Sequence, residues 1–221
     1  MKTKRVQTSE TFLVGAILSL SGGFQDAYTY CLRDHVFANA QTGNIVLMSQ
    51  HFMLGEFVEG LKYLLPVFFF ALGILIAEQL GARRKKLSVH WRQIIVVAEI
   101  IILGVVGFVP QQYNIIANVL VSFSCAMQVQ TFRKLNGYGY ATTMCIGNLR
   151  SGTESLSEYL RNHDRGALVK AMHYYGIIFV FAIGAGIGGL VSMQYGYGAI
   201  WISCGLLIVA CILMNRKYLE P

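Results

Sequence analysis

The chain has 221 residues, 55% hydrophobic and 13% charged, with a mean hydropathy of +0.52, which excludes an ordinary soluble domain. Its formal charge of +7 comes from short basic clusters beside apolar runs, with no aromatic-basic interleaving, so the expected partner is the lipid bilayer and not a nucleic acid. Five cysteines lie in or beside apolar runs without a CxxC pair, and no Ser/His/Asp set, paired carboxylates or HExxH occurs, so no metal, cofactor or enzymatic chemistry is expected.

The opening "MKTKRVQTSETFLVGAILSLSGG" (1–23) imitates a secretory signal. We expect it to be retained within a first span, 11–32, because cleavage would remove half a span from the repeat described below. Midway along that span Gly22, Gly23, Gln25 and Asp26 interrupt the apolar run. The segment 36–54, containing "FANAQTGNIVL" (37–47), is short and polar. Runs of spanning length follow at 61–81, where Glu78 lies close enough to "RRKK" (83–86) to pair, and at 92–109, which Glu99 interrupts. The span 113–132 carries Gln128 and Gln130, and a second short polar segment, 138–160, precedes the runs 169–191 and 197–214. Runs of about 16 to 20 apolar residues can cross a hydrocarbon core roughly 30 Å thick. "GAGIGG" (184–189) fits the dinucleotide fingerprint, but that fingerprint needs a strand before it, and here an apolar span surrounds it. Gly184 and Gly188 read instead as a seam for close helix packing.

The positive-inside rule decides whether the two short segments cross. If neither does and the N-terminus is cytoplasmic, sixteen Lys and Arg lie inside against Arg33 and Lys62 outside; if both cross, the count becomes ten to eight. Six spans are therefore expected in a multi-pass membrane protein, with both termini cytoplasmic. The halves also match each other. "GGFQDAYTY" (22–30) aligns with "CAMQVQTFR" (125–133), "TGN" (42–44) with "IGN" (146–148), and "FFALGILIAEQL" (69–80) with "VFAIGAGIGGLV" (180–191). An odd number of spans per copy inverts the second. The expected fold is an all-α integral membrane domain over 1–221, with inverted-topology repeats at 11–109 and 113–214, each holding a short re-entrant half-helix.

In the first repeat the chain is expected to descend to Gln41 and turn back as a helix from Thr42 to about Phe52, with Thr42 as N-cap and the N–H groups of Gly43 and Asn44 aimed inward. In the second, "GYGYATTMCIGN" (137–148) descends, with Thr142, Thr143 and Asn148 as its polar set. Facing half-helix N-termini suit an anion or an electron-rich solute, and Gln25, Asn39, Gln41 and Gln128 join the candidate solute-binding set. Interfacial helices with polar residues serving only as caps are the alternative, more open for 138–160, where Arg150 with Glu154 and Glu158 with Arg161 can pair along a helix. Ionisable groups at membrane depth mark function by default. Asp26, whose counterpart is Val129, is the first candidate for proton or cation coupling, with a packing carboxylate as the alternative. Glu99, whose approximate counterpart is Cys204, is the second, with an oligomer interface as its alternative.

The motifs "GGFQDAYTY…VFANAQTGNIVLMSQ" and "CAMQVQ…TTMCIGNL" resemble the signature segments of the YoaK family of bacterial membrane proteins across about 11–214. The family's Gly-Phe-x-Asp matches Gly23, Phe24, Gln25 and Asp26; its Thr-Gly-Asn matches Thr42, Gly43 and Asn44; its Gly/Ala-Met-Gln matches Ala126, Met127 and Gln128. Ile146 departs from the second Thr-Gly-x motif. The resemblance implies a six-span inner-membrane protein and brings no substrate. The physical reading leads to a secondary transporter of a small polar or anionic solute, with a small-solute channel or a non-transporting scaffold as alternatives. The small size is compatible with a homodimer.

Overall fold

The computed structural model describes residues 8–83 and 91–215. Lys2, Lys4, Arg5, Arg84, Lys85, Lys86, Arg216 and Lys217, which weigh heavily in the charge count, lie outside the described residues. Eight α-helices follow one another among those described: α1 Phe12–Leu32, α2 Gln41–Met53, α3 Phe57–Ala82, α4 Trp91–Val106, α5 Asn114–Thr131, α6 Cys145–Asn162, α7 Arg165–Tyr195 and α8 Trp201–Asn215. Among the described residues the fold is all-α apart from one two-stranded hairpin.

That hairpin pairs β1, Lys134–Leu135, with β2, Tyr138–Gly139. Asn136 and Gly137 turn it with φ of 48° and 87°, the two left-handed conformations that a type I′ turn needs and that Asn-Gly supplies at low cost. The expected descent from Gly137 therefore begins only after β2. The hairpin is tied to the start of the chain, the Asn136 N–H donating to the Glu10 carbonyl at 2.7 Å. Glu10 in turn pairs with Arg92 at the start of α4, 2.8 Å away.

The helices pack in a pattern that survives an exchange. α1 lies along α7 and α5 along α3; α2 packs on α3 and α6 on α7; α8 packs on α1 and α4 on α5; α4 and α8 meet each other. Swapping α1–α4 for α5–α8 returns the same neighbours. Glycines permit the two longest contacts. A Cβ at Gly184 would stand 2.1 Å from the Leu20 carbonyl oxygen, and one at Gly73 would stand 2.5 Å from that of Phe123. Gly23 and Gly188 extend the first contact, with Cβ positions 2.1 Å from the Phe181 oxygen and 2.7 Å from the Phe24 Cα. "GAGIGG" is thus a packing seam between helix backbones, and no strand precedes it.

Apolar side chains face outward: Phe68, Ile101, Phe179 and Leu190 are each at least 59% exposed. Ser21, Gln25, Glu99, Asn118, Gln128 and Ser203 are buried. A water-soluble fold distributes these groups the other way, whereas lipid solvates such a surface. Among the described residues, Phe57–Ala82 and the stretch Arg165–Asn215 are long and apolar enough to cross a membrane by length and composition. Gly196, with φ of 64°, breaks the latter stretch between α7 and α8. α4 and α8 have 16 and 15 residues, about 24 and 22 Å at 1.5 Å per residue, shorter than the runs 92–109 and 197–214 suggest. α6 has 18 residues and runs about 27 Å, longer than a half-crossing. Arg150 pairs with Glu154 on it as expected, at 2.9 Å, while Arg161 donates to Ser157. Glu78 takes a hydrogen bond from Gln130.

Replacing Gly184 by Val drives a side chain into the α1 backbone and should destabilise the protein by about 1–3 kcal/mol or more. The thermal unfolding midpoint in detergent should fall clearly below wild type. Gly186→Ala, with no atom within 4 Å of its Cβ direction, should leave the midpoint unchanged.

Candidate functional site

The chain entering each short helix is held by one asparagine. In the first half the Asn44 Oδ1 accepts from the Phe37 N–H at 3.1 Å and its Nδ2 donates to the Phe37 carbonyl at 2.7 Å. In the second half the Asn148 Oδ1 accepts from the Ala141 N–H at 3.3 Å and its Nδ2 donates to the Ala141 carbonyl at 2.7 Å. Both span seven residues. A carboxamide here imitates one rung of a β-ladder, satisfying an N–H and a C=O that a chain away from water cannot leave unpaired. Asn44 also accepts help from Gln41, whose Oε1 takes a bond from Nδ2 at 2.9 Å while its own Nε2 donates to the Ala38 carbonyl. In the structure these asparagines and Gln41 brace backbone.

The N-terminus of α2 departs from expectation. Its N-cap is Ala40, without a side-chain cap; Thr42 is the second helical residue and exposed, pointing away from the interior. Gly43 packs against the Phe37 ring, 3.1 Å from its Cβ direction. A carboxylate comes instead from α1. The Asp26 Oδ1 accepts the Asn39 N–H at 2.7 Å, and the N–H groups of Ala38 and Ala40 are also directed at this carboxylate. Asp26 therefore holds the chain just ahead of α2, while the Gln41 and Gly43 N–H groups donate to the Asn39 and Ala40 carbonyls at 2.8 and 3.0 Å. Asn39 completes the contact, its Nδ2 donating to the Gly22 carbonyl at 3.2 Å.

Deeper in the bundle α1, α4 and α5 share one carboxylate. Glu99 is fully buried on α4. The Gln25 Nε2 donates to its Oε1 at 3.1 Å. With the Gln128 amide oriented by its partners, Nε2 donates to both Glu99 oxygens at 3.1 and 3.2 Å and Oε1 accepts from the Thr142 hydroxyl at 3.1 Å. Gln25 and Gln128 are counterparts in the sequence match, so one carboxylate joins equivalent side chains of the two halves. Among the described residues no cation pairs with Glu99 within 4 Å. The cluster continues through Ser21, which accepts from the Gln25 Nε2 at 3.0 Å and contacts Ser203 at 2.9 Å, and through the Cys125 thiol, which donates to the Gln25 Oε1 at 2.8 Å.

The two entering chains meet at Gly22. A Cβ there would stand 2.3 Å from the Thr143 Cγ2 and 3.9 Å from the Asn39 Nδ2. Two buried atoms at this junction have no protein partner, the Asn39 Oδ1 and the Thr143 Oγ1. The structure thus brings together Gln25, Asp26, Asn39, Glu99, Gln128, Thr142 and Thr143, and leaves Thr42 outside.

Residues 14–213 match the family model described as "Protein of unknown function (DUF1275)". The chain belongs to this family. It is 26% identical over 218 residues to the UPF0700 transmembrane protein YoaK of Bacillus subtilis (strain 168), a match covering 91% of this chain and 92% of that one. No solved structure matches. With its outward apolar helices and buried polar interior, this DUF1275 member is an α-helical membrane protein.

One buried residue of this DUF1275 protein escapes sequence reasoning. Arg33, counted above only as an outside charge, is completely buried at the C-terminus of α1. Its guanidinium donates to the Tyr28 hydroxyl at 3.1 and 2.8 Å, to the Val106 and Val109 carbonyls at 3.2 and 2.9 Å, and to the Asn114 Oδ1 at 2.9 Å. All five donors are used, and the Tyr197 ring lies 4.3 Å from Cζ. The cation sits on the carbonyl end of α4, where the helix dipole favours it. Asn114 and Asn118, one turn apart at the start of an apolar helix, were the available signal; Asn118 donates to the Arg33 carbonyl at 2.7 Å.

Asn44→Ala and Asn148→Ala each orphan a backbone N–H and C=O and should cost about 1–3 kcal/mol. Chemical denaturation in nanodiscs should show comparable losses for the two, and limited proteolysis should open the chain ahead of the corresponding helix. A large loss for one and none for the other would refute their equivalence.

Proposed function

We propose that this DUF1275 protein is a secondary transporter that moves a small polar or anionic solute through the junction at Gly22. In this reading α1, α3, α4, α5, α7 and α8 cross the inner membrane, α2 and α6 dip into it from opposite sides, the halves are inverted repeats, and both termini are cytoplasmic. The observation that carries the proposal is the junction itself. Two non-helical chains reach the protein interior, each braced by an equivalent asparagine, and present buried polar atoms without partners beside a carboxylate with no cation. Irregular backbone at membrane depth is tolerated where it is buried or lines a path, and transporters with inverted repeats place their sites at such junctions. A scaffold gains nothing from unpaired buried polar atoms, each costing about 1–3 kcal/mol.

Glu99 is the coupling group in this proposal. Asp26 is committed to the chain entering α2, whereas Glu99 touches both halves through Gln25 and Gln128 and can report the protonation state to each. A proton on Glu99 removes a charge that the two amides otherwise stabilise, and so changes what holds α1 and α5 together. A channel built on the same junction is the second reading, and it predicts flux that neither saturates nor follows the proton gradient.

In proteoliposomes containing a pH-sensitive dye, a panel of small polar and anionic solutes should include one that drives saturable lumenal acidification. Glu99→Gln, nearly isosteric, should reduce that signal at least about tenfold, the range of a lost general acid–base group; undiminished acidification would remove Glu99 from the mechanism. Topology is tested separately in a cysteine-free background. A cysteine at Glu56, between α2 and α3, should react with impermeant maleimide on intact cells, and one at Arg165, at the start of α7, only after permeabilisation. Labelling from the same side would overturn the inverted arrangement.

A further inference from the structure

The two halves differ where the chain enters each short helix. At the first short helix the α1 side chain Asp26 supplies a carboxylate to the Asn39 N–H at 2.7 Å. The counterpart of Asn39 in the sequence match is Thr143, and the counterpart of Asp26 is Val129 on α5. The Gln128 contact to Thr142, at 3.1 Å, sets this level of α5 beside the chain entering α6. The second short helix thus has the brace, Asn148, and the approach, but an apolar residue where the first has its acid. α6 is 18 residues long and its N-cap, Met144, offers no side-chain hydrogen bond, so among the described residues no side chain of α5 holds the chain entering α6 as Asp26 holds that entering α2.

A second observation is independent of the helix end. Thr143 is 6% exposed and its hydroxyl has no protein partner. Its methyl group is turned onto Gly22, and covalent geometry keeps the hydroxyl within about 4 Å of the Thr143 nitrogen in every rotamer. The unpaired hydroxyl therefore stands beside the N–H that corresponds to the one Asp26 holds. Across Gly22 the Asn39 Oδ1, on a residue also 6% exposed, is an acceptor without a donor.

We propose that α6 binds the carboxylate of the transported solute at the position that Asp26 occupies for α2. The solute is a small monocarboxylate that carries a hydrogen-bond donor. Its carboxylate takes the Thr143 hydroxyl and the N–H groups entering α6, and its donor meets the Asn39 Oδ1. This inference rests on the junction proposed above as the transport site, and Asp26 is its internal template: the Asp side chain is an acetate group on a tether.

The test uses glycolate, a two-carbon acid with one hydroxyl, on the full chain in nanodiscs, with chloride at equal ionic strength as the comparison. Glycolate should raise the unfolding midpoint saturably and chloride should not. Val129→Asp should cap α6 from within and abolish the glycolate response. Thr143→Val, isosteric and suited to a buried position, should weaken glycolate at least about tenfold, the loss of one hydrogen bond to a charged group. No response to glycolate in the wild type, an equal response to chloride, or an undiminished response in Thr143→Val would each overturn the proposal; the last decides the matter if Val129→Asp does not fold. Glycolate binding that Val129→Asp abolishes, without glycolate uptake in proteoliposomes, would retain the site and defeat the transporter reading. Saturable uptake of another solute, undiminished in Thr143→Val, would do the reverse.

Discussion

Backbone that leaves a helix inside an apolar bundle must find its hydrogen bonds in the protein, since neither lipid nor water supplies them there. In this chain that requirement arises wherever a short helix begins. It is met by side chains reaching across from neighbouring segments: Asn44 to Phe37, Asn148 to Ala141, Asp26 to Asn39. At the far end of α1 the same requirement is met in reverse, by a cation. Arg33 collects the carbonyls that end α4, and its burial is tolerable only because every N–H has an acceptor. These four residues explain how polar chain is admitted to the interior at all.

Such side chains reach their partners only if the helices come close, and the glycines set that distance. Gly23, Gly184 and Gly188 bring α1 and α7 to backbone contact, and Gly73 does the same for α3 and α5. Without an aqueous driving force between membrane helices, close packing is what holds them. The long helices that carry these contacts also support the short ones, α3 under α2 and α7 under α6. A change of spacing along either seam would therefore move an entering chain relative to Gly22. Packing and site geometry are one problem here, which is why Gly22, lying at the junction, cannot accept even a methyl group without displacing Thr143.

Much of this organisation was legible. The order of the helices, the two short polar segments, the small-residue seam and the polar residues of the interior follow from hydropathy, glycine spacing and internal matches. What was not legible depends on which atom a side chain reaches. Asp26 reads as a coupling group from its place in an apolar run, and only the structure shows its carboxylate accepting the Asn39 N–H on the chain entering α2. Thr42 reads as a cap because threonine favours that position, but the local turn begins at Ala40, leaving Thr42 on the outer face. Asn-Gly at 136–137 was a readable hairpin signal eclipsed by the surrounding glycine and tyrosine, which suggested an irregular descent. Arg33 is a different kind of miss: charge counting treats every arginine as solvated, and burial of one depends on acceptors contributed from distant positions, Val106 and Asn114 among them.

The match between the halves is most informative where it fails. Brace, glycine seam and glutamine recur, so these belong to the architecture. The acid does not recur, since Val129 stands for Asp26, and neither does the bundle's central carboxylate, since Cys204 stands for Glu99. A symmetric frame with a single carboxylate on its internal contact has two ways to respond to that group's proton, one through Gln25 and one through Gln128. Gln25 donates to one Glu99 oxygen and Gln128 to both, so in the proposed mechanism a proton on Glu99 weakens a link to each half. In the proposed transporter this asymmetry would give the two entrances unequal character, because Asp26 already meets the chain entering α2 whereas Val129 stands at the corresponding place before α6.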